Sequence, residues 1–417
     1  MEESVFTYAA PRLKFGAGAS VEIGFELRML GARRVLIVTD AGVAATGHPA
    51  RIAERLAAEG CEVAVFTGAH VEPTDDSMLT AVEWARDEGP FDAIVAVGGG
   101  SSIDTAKAVN LLTTNDGGLE DYLNKPVGAG RAPTRPLLPL VAVPTTTGTG
   151  SESTTICVLD VLALKVKTGI SHAALRPTVA VVDPDLTMTQ PPGVTAAAGL
   201  DILCHALESY TARPYTAYPR KRPEERVPYC GANPVADVFC EKAVGLLARS
   251  FRTAWRDGDD AAARSDMALA ATLAGMGFGN AGVHVPHANA YPIAGLVRDF
   301  RPAGYPDGAP LVPHGMAVSL TAPAAFELTY SSNPARHDRL AALLGGPDVA
   351  AGPTGLADRV RELMADLEVP SRLGDVGYDT GDVEALVEGS LRQQRLLATA
   401  PLDVGADELR SVFRASL

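Results

Sequence analysis

The chain has 417 residues, of which 47% are apolar and 21% are charged. This length is enough for two or three domains of about 150 residues, and the composition excludes a disordered, collagen-like or coiled-coil protein. The 50 acidic and 36 basic residues give a net charge of −14, so we expect no nucleic acid as a partner.

Sequence features that direct a protein to a membrane or to secretion are missing. No apolar run reaches the roughly 18 residues that a membrane-spanning helix requires. The first residues lack the basic and apolar regions of a secretory signal, and the five cysteines include no C-x-x-C pair. Since an odd number of cysteines in a large chain argues against a disulfide framework and for a reducing compartment, we expect a soluble cytoplasmic enzyme with no membrane partner.

The first part of the chain alternates short apolar runs with helical stretches. In chain order, the pattern predicts a strand over residues 34–40, a helix over 48–59, and strands over 62–66, 93–97 and 138–143. Continuous apolar strands separated by helices are typical of a parallel sheet covered on both faces. We therefore predict an α/β domain over residues 1–185.

Helical periodicity dominates the rest of the chain. It predicts long helices over residues 196–212, 237–257 and 261–275, without strand patterns comparable with those of the first part. We therefore predict an all-helical domain over residues 186–417.

A polar, Pro-rich insert interrupts the helical part at residues 213–234, and a second covers residues 298–313. Long loops inside a compact domain are often functional. The first insert carries several basic side chains, among them Arg213, Lys221, Arg222 and Arg226. These would suit the carboxylate of a substrate, and the alternative is a solvated loop.

Three features follow predicted strands of the α/β part. Asp40 ends the first strand, the glycines at 98–100 follow the third, and a Thr/Gly loop at 144–152 follows the fourth. Ligands of parallel sheets bind beyond the carboxyl ends of the strands. We therefore predict a dinucleotide site there, and the alternatives are a tight strand-to-helix turn at 98–100 and a Ser/Thr-rich turn at 144–152.

The glycine run leads into a predicted helix. Ser101 and Asp104 have the spacing of a capping box, which predicts that this helix begins at Ser101. Glycines let backbone N–H groups approach a ligand closely, and a helix N-terminus favours an anion such as a pyrophosphate.

Asp40 has two interpretations. A carboxylate at this position binds a ribose 2′-OH and repels a 2′-phosphate, which favours NAD over NADP. The alternative is a helix N-cap.

A D-x3-H pair lies in the helical part at Asp201 and His205. Since residues four apart on a helix project from one face, both side chains reach a single ion. Two further apolar-flanked segments carry His284 with His287, and His314. One Asp with three His is a ligand set that suits Fe²⁺ or Zn²⁺. The spacing leaves open whether His284 or His287 is the ligand, and the alternative for each histidine is a structural core residue.

Together these segments resemble the iron-containing (group III) alcohol dehydrogenase family over nearly the whole chain. The GGGS-x-x-D-x-x-K loop of that family matches residues 98–107, and its P-T-T-x-G-T-G-S-E loop matches residues 144–152. Its H-A-x-A-H segment aligns with residues 287–291, and its P-H-G motif matches residues 313–315.

The resemblance implies a dehydroquinate synthase-like fold, in which an α/β dinucleotide-binding domain precedes an all-α domain and a divalent metal, Fe²⁺ or Zn²⁺, lies in the cleft between them. The catalytic metal ligands that it implies are Asp201, His205, His287 and His314. The NAD contacts that it implies, together with Asp40, are Gly99, Gly100, Ser101, Asp104, Thr145, Thr146, Thr149 and Lys167. It also implies small alcohol or hydroxyacid and aldehyde or ketoacid substrates, and a homo-oligomer.

Two positions depart from the family pattern. Tyr291 stands where many members carry a second His, and Glu72 stands where an Asn is common near the cofactor. The chain is similar to one subfamily, the hydroxyacid–oxoacid transhydrogenases, in these departures, in the long inserts and in the segment at 277–284. That subfamily oxidises 4-hydroxybutyrate to succinate semialdehyde while it reduces 2-oxoglutarate to 2-hydroxyglutarate, and its nicotinamide stays bound.

Two other functions remain open from the sequence. The first is an ordinary NAD-dependent alcohol dehydrogenase or aldehyde reductase on the same fold. The second is a dehydroquinate synthase-like lyase or a non-catalytic relative. The full Asp/His/His/His set argues against the second.

Overall fold

The computed structural model describes residues 2–164, 166–303, 305, 310–346, 348 and 350–417. It separates into two compact units, an α/β unit of Ala10–Thr189 and a helical unit of Met1–Ala9 with Gln190–Leu417. The boundary predicted between the two domains is residue 185, and the prediction places the first nine residues in the α/β domain rather than in the helical one.

Polar contacts explain why the N-terminal segment belongs to the helical unit. The Glu3 carboxylate pairs with Arg226 at 2.7 Å, and the Glu3 backbone N–H donates to the Tyr218 carbonyl at 2.9 Å. Further along, the Ala9 N–H donates to Oδ1 of Asn280 at 3.0 Å. Contacts so distant in sequence leave no local pattern from which the position of this segment could be predicted.

The α/β unit contains all of the strands found among the described residues. They are β1 (Arg12–Phe15), β2 (Arg34–Val38), β3 (Glu62–Phe66), β4 (Ala93–Gly98), β5 (Leu140–Pro144), β6 (Ile156–Val161), β7 (Val166–Ser171) and β8 (Val179–Val182). Six form a sheet in the order β1-β8-β5-β4-β2-β3, in which every pair is parallel. The strands β6 and β7 form a separate antiparallel pair, which the sequence pattern did not predict because polar residues interrupt both.

The parallel sheet is buried on both faces. Leu36 and Val38 of β2 belong to one apolar cluster, and Val35 and Ile37 belong to another. Because successive side chains of a strand point to opposite faces, each face of the sheet packs on its own cluster. This confirms the predicted α/β fold class.

Helices cover this sheet and connect its strands. They are α1 (Ile23–Met29), α2 (Ala41–Ala45), α3 (His48–Ala58), α4 (Asp75–Glu88), α5 (Gly100–Thr114) and α6 (Leu119–Tyr122). The chain leaves β2 for β3 on one side and then returns to β4 on the other side of β2. The carboxyl ends of β2 and β4 therefore meet at a topological switch point, where ligands of such sheets bind.

The start of α5 differs from the prediction. Gly99 is its N-cap residue, and no side chain caps it, so the predicted capping box of Ser101 and Asp104 is wrong. The Asp104 carboxylate instead accepts hydrogen bonds from the Ser151 hydroxyl at 2.6 Å and from the Val158 N–H at 2.9 Å.

Lys107 lies next to Asp104 and is completely buried. Its ammonium group donates to the Ser151 and Ile156 carbonyls at 2.9 and 2.7 Å and to the Thr154 hydroxyl at 3.1 Å. One buried cation thus joins α5 to the segment between β5 and β6.

The helical unit consists of packed helices. They are α7 (Pro192–Thr211), α8 (Pro234–Arg256), α9 (Ala261–Ala281), α10 (Val285–Gly295), α11 (His314–Thr329), α12 (Pro334–Gly345), α13 (Gly355–Asp366), α14 (Val383–Leu391), α15 (Gln394–Leu397) and α16 (Ala406–Ala415). The long helix α7 packs against α8, α9 and α11. Within the part of the chain that the structure describes, no helix combines the length and apolar character needed to cross a membrane.

Replacement of Lys107 by Met should destabilise the α/β unit by about 3 kcal/mol or more, because it leaves buried acceptors and Asp104 without their cation. Urea unfolding measures this change. The exposed Lys125→Met substitution is the control and should change stability by less than about 0.5 kcal/mol. Equal stability of the two variants would contradict a structural role for the buried ammonium.

Candidate metal centre and nucleotide-binding loops

Four sequence-predicted side chains converge in the helical unit. The Oδ1 atom of Asp201 lies 3.5 Å from Nε2 of His205, 3.4 Å from Nε2 of His287 and 3.8 Å from Nε2 of His314. The rings of His205 and His287 are stacked, with centroids 4.6 Å apart. Three helices contribute, because α7 carries Asp201 and His205, α10 carries His287, and α11 begins at His314.

A close helix contact brings His314 to this cluster. A Cβ atom at Gly315 would lie only 1.9 Å from the Ala197 carbonyl oxygen and 2.9 Å from Cβ of Asp201. Only a residue without a side chain therefore lets the first turn of α11 approach α7 this closely. This is the physical reason for the glycine that follows His314.

The residues present fit a divalent metal. Oδ1 of Asp201 and Nε2 of His287 are buried, and neither has a hydrogen-bond partner in the described chain. A buried polar atom without a partner is costly, and a buried charge more so. One carboxylate and three imidazoles form a nitrogen and oxygen ligand set that suits Fe²⁺ or Zn²⁺, and a cation at their centre would supply the missing partner.

Burial and mutual charge set the protonation of these groups. Burial opposes ionisation of Asp201, but the neighbouring His205, His314 and His287 hold the pKa of its carboxyl far below the usual range. Burial lowers the pKa of His205 to about 3. For His287, burial acts in the same direction, but the charges of Glu208 and Asp201 outweigh it and raise the pKa to about 9.

Glu208 is a buried carboxylate of this site that the sequence interpretation missed. Its Oε1 lies 2.5 Å from Nδ1 of His287. Asp201, His205 and Glu208 occupy positions i, i+4 and i+7 of α7, and this spacing is the signal that could have identified it.

His284 does not join the cluster. It precedes α10, and its Nε2 lies 3.1 Å from the Thr211 hydroxyl oxygen. The alternative that spacing left open, between His284 and His287, is therefore resolved by geometry in favour of His287 as the residue beside Asp201.

Tyr291, the departure from the family pattern, lies one helical turn after His287 on α10. Its ring is almost perpendicular to that of His314, with centroids 6.4 Å apart, and its side chain is buried. A phenol thus occupies the edge of the cluster where many family members carry an imidazole.

In the α/β unit, Asp40 follows β2 and uses both carboxylate oxygens. Oδ1 accepts a hydrogen bond from the Val43 N–H at 2.9 Å, so Asp40 is the N-cap of α2, as the alternative interpretation predicted. Oδ2 accepts a hydrogen bond from the Ser102 hydroxyl at 2.9 Å. Asp40 thus connects the carboxyl end of β2 to the first turn of α5, beside the switch point of the sheet.

The glycine loop and the Thr/Gly loop are packed against each other. A Cβ atom at Gly100 would lie 2.6 Å from Cγ2 of Thr149, and one at Gly99 would lie 3.1 Å from Oγ1 of Thr146. A side chain at Gly100 would therefore collide with Thr149, and one at Gly99 would crowd Thr146. The two glycines also leave the N-terminus of the 15-residue helix α5 free of side chains that would obstruct an anion.

The predicted nucleotide contacts beside these glycines differ in their surroundings. Ser101 and Thr146 are partly exposed, and the Thr149 hydroxyl accepts a hydrogen bond from the Ser151 N–H at 3.2 Å. The buried Thr145 hydroxyl has no hydrogen-bond partner among the described residues. Asp104, in contrast, faces protein groups.

Lys167 is buried between two carboxylates. Its ammonium group pairs with Glu72 and lies 3.0 Å from Asp160. Burial opposes its charge, but the two carboxylates outweigh burial and raise the pKa of Lys167. Glu72, the second departure from the family pattern, therefore contacts the lysine that the resemblance places near the cofactor.

The basic residues of the 213–234 insert, for which the sequence left a substrate pocket and a solvated loop as alternatives, have partners within the chain. Arg213 pairs with Asp403, Arg222 with Glu225 and Arg226 with Glu3. The Lys221 ammonium lies over the Tyr218 ring, 5.4 Å from its centroid. The three arginines already neutralise carboxylates of the chain itself, so the pocket hypothesis is not supported.

Comparison with known proteins agrees with this geometry. The profile described as iron-containing alcohol dehydrogenase matches residues 10–184, and that of the Fe-containing alcohol dehydrogenase family, C-terminal, matches residues 225–417. The mitochondrial hydroxyacid–oxoacid transhydrogenase of Bos taurus is 43% identical over 99% of this chain and 90% of its own length. The chain belongs to the iron-containing alcohol dehydrogenase family.

Solved structures of this family have the same fold. The crystal structure of 1,3-propanediol oxidoreductase is 31% identical, with a TM-score of 0.86 over 99% of this chain and 100% of its own. That of sulfoacetaldehyde reductase from Bifidobacterium kashiwanohense, in complex with NAD⁺, is 25% identical, with a TM-score of 0.82 over 99% of this chain and 98% of its own. The predicted family fold, an α/β domain followed by a helical domain, is confirmed.

The predicted cytoplasmic location is contradicted by the comparison. The matching transhydrogenases of Bos taurus, Rattus norvegicus and Xenopus tropicalis are all named as mitochondrial proteins. The cysteine pattern on which the prediction rested indicates only a reducing environment, which does not distinguish one intracellular compartment from another.

Binding of Zn²⁺ to the metal-free protein should depend on pH through His287. With a pKa of about 9, His287 carries a proton on Nε2 at pH 7 that the ion must displace, whereas Asp201 and His205 are already deprotonated. The apparent affinity should rise by about tenfold per pH unit from pH 7 to 9 and then level off.

Calorimetry in buffers of different ionisation enthalpy tests this expectation, because binding at pH 7.5 should release about one proton per ion. An affinity that does not change between pH 7 and pH 9 would show that His287 is not the protonated ligand.

Proposed function

We propose that this protein is a hydroxyacid–oxoacid transhydrogenase that oxidises 4-hydroxybutyrate to succinate semialdehyde and reduces 2-oxoglutarate to 2-hydroxyglutarate. The observation that carries this proposal is the 43% identity to the bovine transhydrogenase over 99% of the chain. The structures of 1,3-propanediol oxidoreductase and sulfoacetaldehyde reductase reach only 31% and 25%. The coarser assignment, a metal-dependent oxidoreductase of this family, is shared by all of them.

NAD is the cofactor that we propose. The N-terminus of α5 offers backbone N–H groups to a pyrophosphate, and the carboxylate of Asp40 disfavours a 2′-phosphate. The sulfoacetaldehyde reductase structure contains NAD⁺, which supports a dinucleotide on this fold. The contacts proposed are Asp40, Gly99, Gly100, Ser101, Thr145, Thr146, Thr149 and Lys167. Asp104 contributes indirectly, because its carboxylate accepts hydrogen bonds from the 151–158 segment.

The proposed metal ligands are Asp201, His205, His287 and His314. A divalent metal held by this set supplies Lewis acidity that favours loss of the hydroxyl proton from an alcohol. Whether that metal is Fe²⁺ or Zn²⁺ stays a prediction, as does the homo-oligomer.

The proposed reaction balances without an external oxidant. The hydroxyacid gives a hydride from its carbinol carbon to NAD⁺ and loses its hydroxyl proton, which leaves an aldehyde and NADH. The oxoacid then accepts the hydride at its carbonyl carbon and a proton at its oxygen, which regenerates NAD⁺. The bound nucleotide therefore returns to its starting state in each cycle.

A paired-substrate assay tests this function. Purified protein loaded with metal and NAD, and freed of unbound nucleotide, should convert 4-hydroxybutyrate with 2-oxoglutarate into succinate semialdehyde and 2-hydroxyglutarate in equal amounts. Added NAD should not accelerate the reaction, and mass spectrometry with a deuterated carbinol should find the label in 2-hydroxyglutarate.

The same assay detects an ordinary NAD-dependent alcohol dehydrogenase or aldehyde reductase, which the similarity to 1,3-propanediol oxidoreductase favours. Such an enzyme would release free NADH from alcohol and added NAD, and it would need no oxoacid. Net NADH formation with dilution of the deuterium label would therefore contradict a transhydrogenase.

Replacement of His287 by Ala should reduce turnover by more than about 100-fold, because loss of a ligand should exceed the effect of losing an outer hydrogen-bond partner. Metal content and rate per folded molecule are the measurements. His337→Ala is the control, since His337 is a buried imidazole of the same unit that lies 3.0 Å from the Thr329 hydroxyl and not in the cluster. Wild-type turnover of His287→Ala would remove His287 from the site.

A further inference from the structure

Glu208 is a completely buried carboxylate beside the proposed metal ligands. It lies on α7, one turn beyond His205, and it contacts the segment that begins α10. A buried carboxylate destabilises the fold unless specific groups bind it.

The two oxygens of Glu208 have different partners. Oε1 lies 2.5 Å from Nδ1 of His287. Oε2 accepts hydrogen bonds from the backbone N–H of His284 at 2.6 Å and from that of His287 at 3.4 Å. Glu208 thus holds both the backbone at the start of α10 and the imidazole ring of His287, which projects from the first turn of that helix.

The contact at Oε1 determines which ring nitrogen of His287 keeps a proton. An ionised carboxylate only accepts hydrogen bonds, so Nδ1 must be the donor. When the ring is neutral, its lone pair is therefore on Nε2, the buried atom without a hydrogen-bond partner in the described chain, 3.4 Å from Asp201.

We propose that Glu208 is a positioning residue that keeps His287 in the Nδ1–H tautomer, directs its Nε2 at the metal position and thereby sets the affinity for the divalent ion. The inference rests on the metal centre of the proposed function and adds a residue that does not itself touch the ion. Outer carboxylates that accept a hydrogen bond from a ligating imidazole act in this way in other metal sites.

The neighbouring ligand His205 is held differently. Its Nδ1 is buried without a hydrogen-bond partner among the residues described, and its ring stacks on Phe278 with centroids 3.9 Å apart. Packing rather than a carboxylate orients this ring. The contact of Glu208 is therefore specific to His287 and not a general property of the cluster.

Charge balance supports the same role. Asp201 and Glu208 place two negative charges in one buried cluster, and imidazoles that bind an ion through Nε2 are neutral and add none. A divalent cation would neutralise this pair, whereas removal of either carboxylate would leave a bound cation with an excess positive charge in a buried site.

A purely structural role for Glu208, as an acceptor for the backbone before α10, predicts a different result from the same substitution. In Glu208→Gln, the amide oxygen still accepts the backbone N–H groups, but the amide nitrogen then faces Nδ1 of His287. Because that nitrogen is a donor, Nδ1 must become an acceptor, which moves the proton to Nε2 and prevents ligation. The substitution therefore preserves the backbone contact and removes the tautomer control.

The experiment compares Zn²⁺ affinity of the metal-free wild type, Glu208→Gln and Glu241→Gln by competition with a chromogenic chelator. Glu241 is the matched control, because its carboxylate accepts a hydrogen bond from Tyr210 of the same helix α7 but lies outside the cluster. We expect about 10- to 100-fold weaker binding in Glu208→Gln and an affinity within about twofold of wild type in Glu241→Gln. Wild-type affinity in folded Glu208→Gln would overturn the inference.

A second measurement needs no folded Glu208 variant. In the Zn²⁺-loaded wild type with ¹⁵N-labelled histidine, the ring of His287, identified by its absence from His287→Asn, should be protonated on Nδ1 and ligating through Nε2. The opposite assignment of the two nitrogens would overturn the inference. Neither measurement uses substrate or NAD, so failure of the transhydrogenase reaction leaves this result intact, whereas a wild type that binds no Zn²⁺ would overturn both the metal centre and the role of Glu208.

Discussion

The helical unit is organised around one buried carboxylate. Asp201 lies where three imidazole nitrogens approach its Oδ1 within 3.4 to 3.8 Å, and that oxygen has no hydrogen-bond partner in the described chain. A buried charge is costly, and a cation held at this position would reduce that cost. The proposed metal ligands therefore lie where α7, α10 and α11 meet.

Close packing between the helices allows them to meet at this position. Gly315 allows α11 to contact the backbone of α7 directly, and Gly199 allows Phe251 of α8 to pack where a Cβ atom would lie 2.1 Å from its ring. Small residues thus place α7 at the centre of the unit. The same helix then presents Asp201, His205 and Glu208 on one face, which places Glu208 beside the proposed metal ligands.

In the α/β unit, the segment from the glycine loop to the first turns of α5 has two physical roles. Its glycines at 98–100 allow the loop to pack closely against the Thr/Gly loop and leave the N-terminus of α5 open. Asp104 and Lys107, in the first two turns of α5, face inward and bind the segment that follows β5. The proposed nucleotide-binding loop is thereby held by buried polar contacts, whose loss would move the loop as well as weaken the fold.

The sequence by itself determined the elements whose pattern is local. Continuous apolar runs predicted β2 to β5, helical periodicity predicted α7 to α9, and the i, i+4 spacing placed Asp201 with His205. Tertiary structure decided the contacts between distant segments: the position of His287 rather than His284 beside Asp201, the contact of Glu208 with His287, the inward direction of Asp104, the arginine pairs of the insert, and the attachment of the N-terminal segment to the helical unit. These depend on which helix faces and loops pack together, and periodicity reports only which face of an element is apolar, not what that face meets.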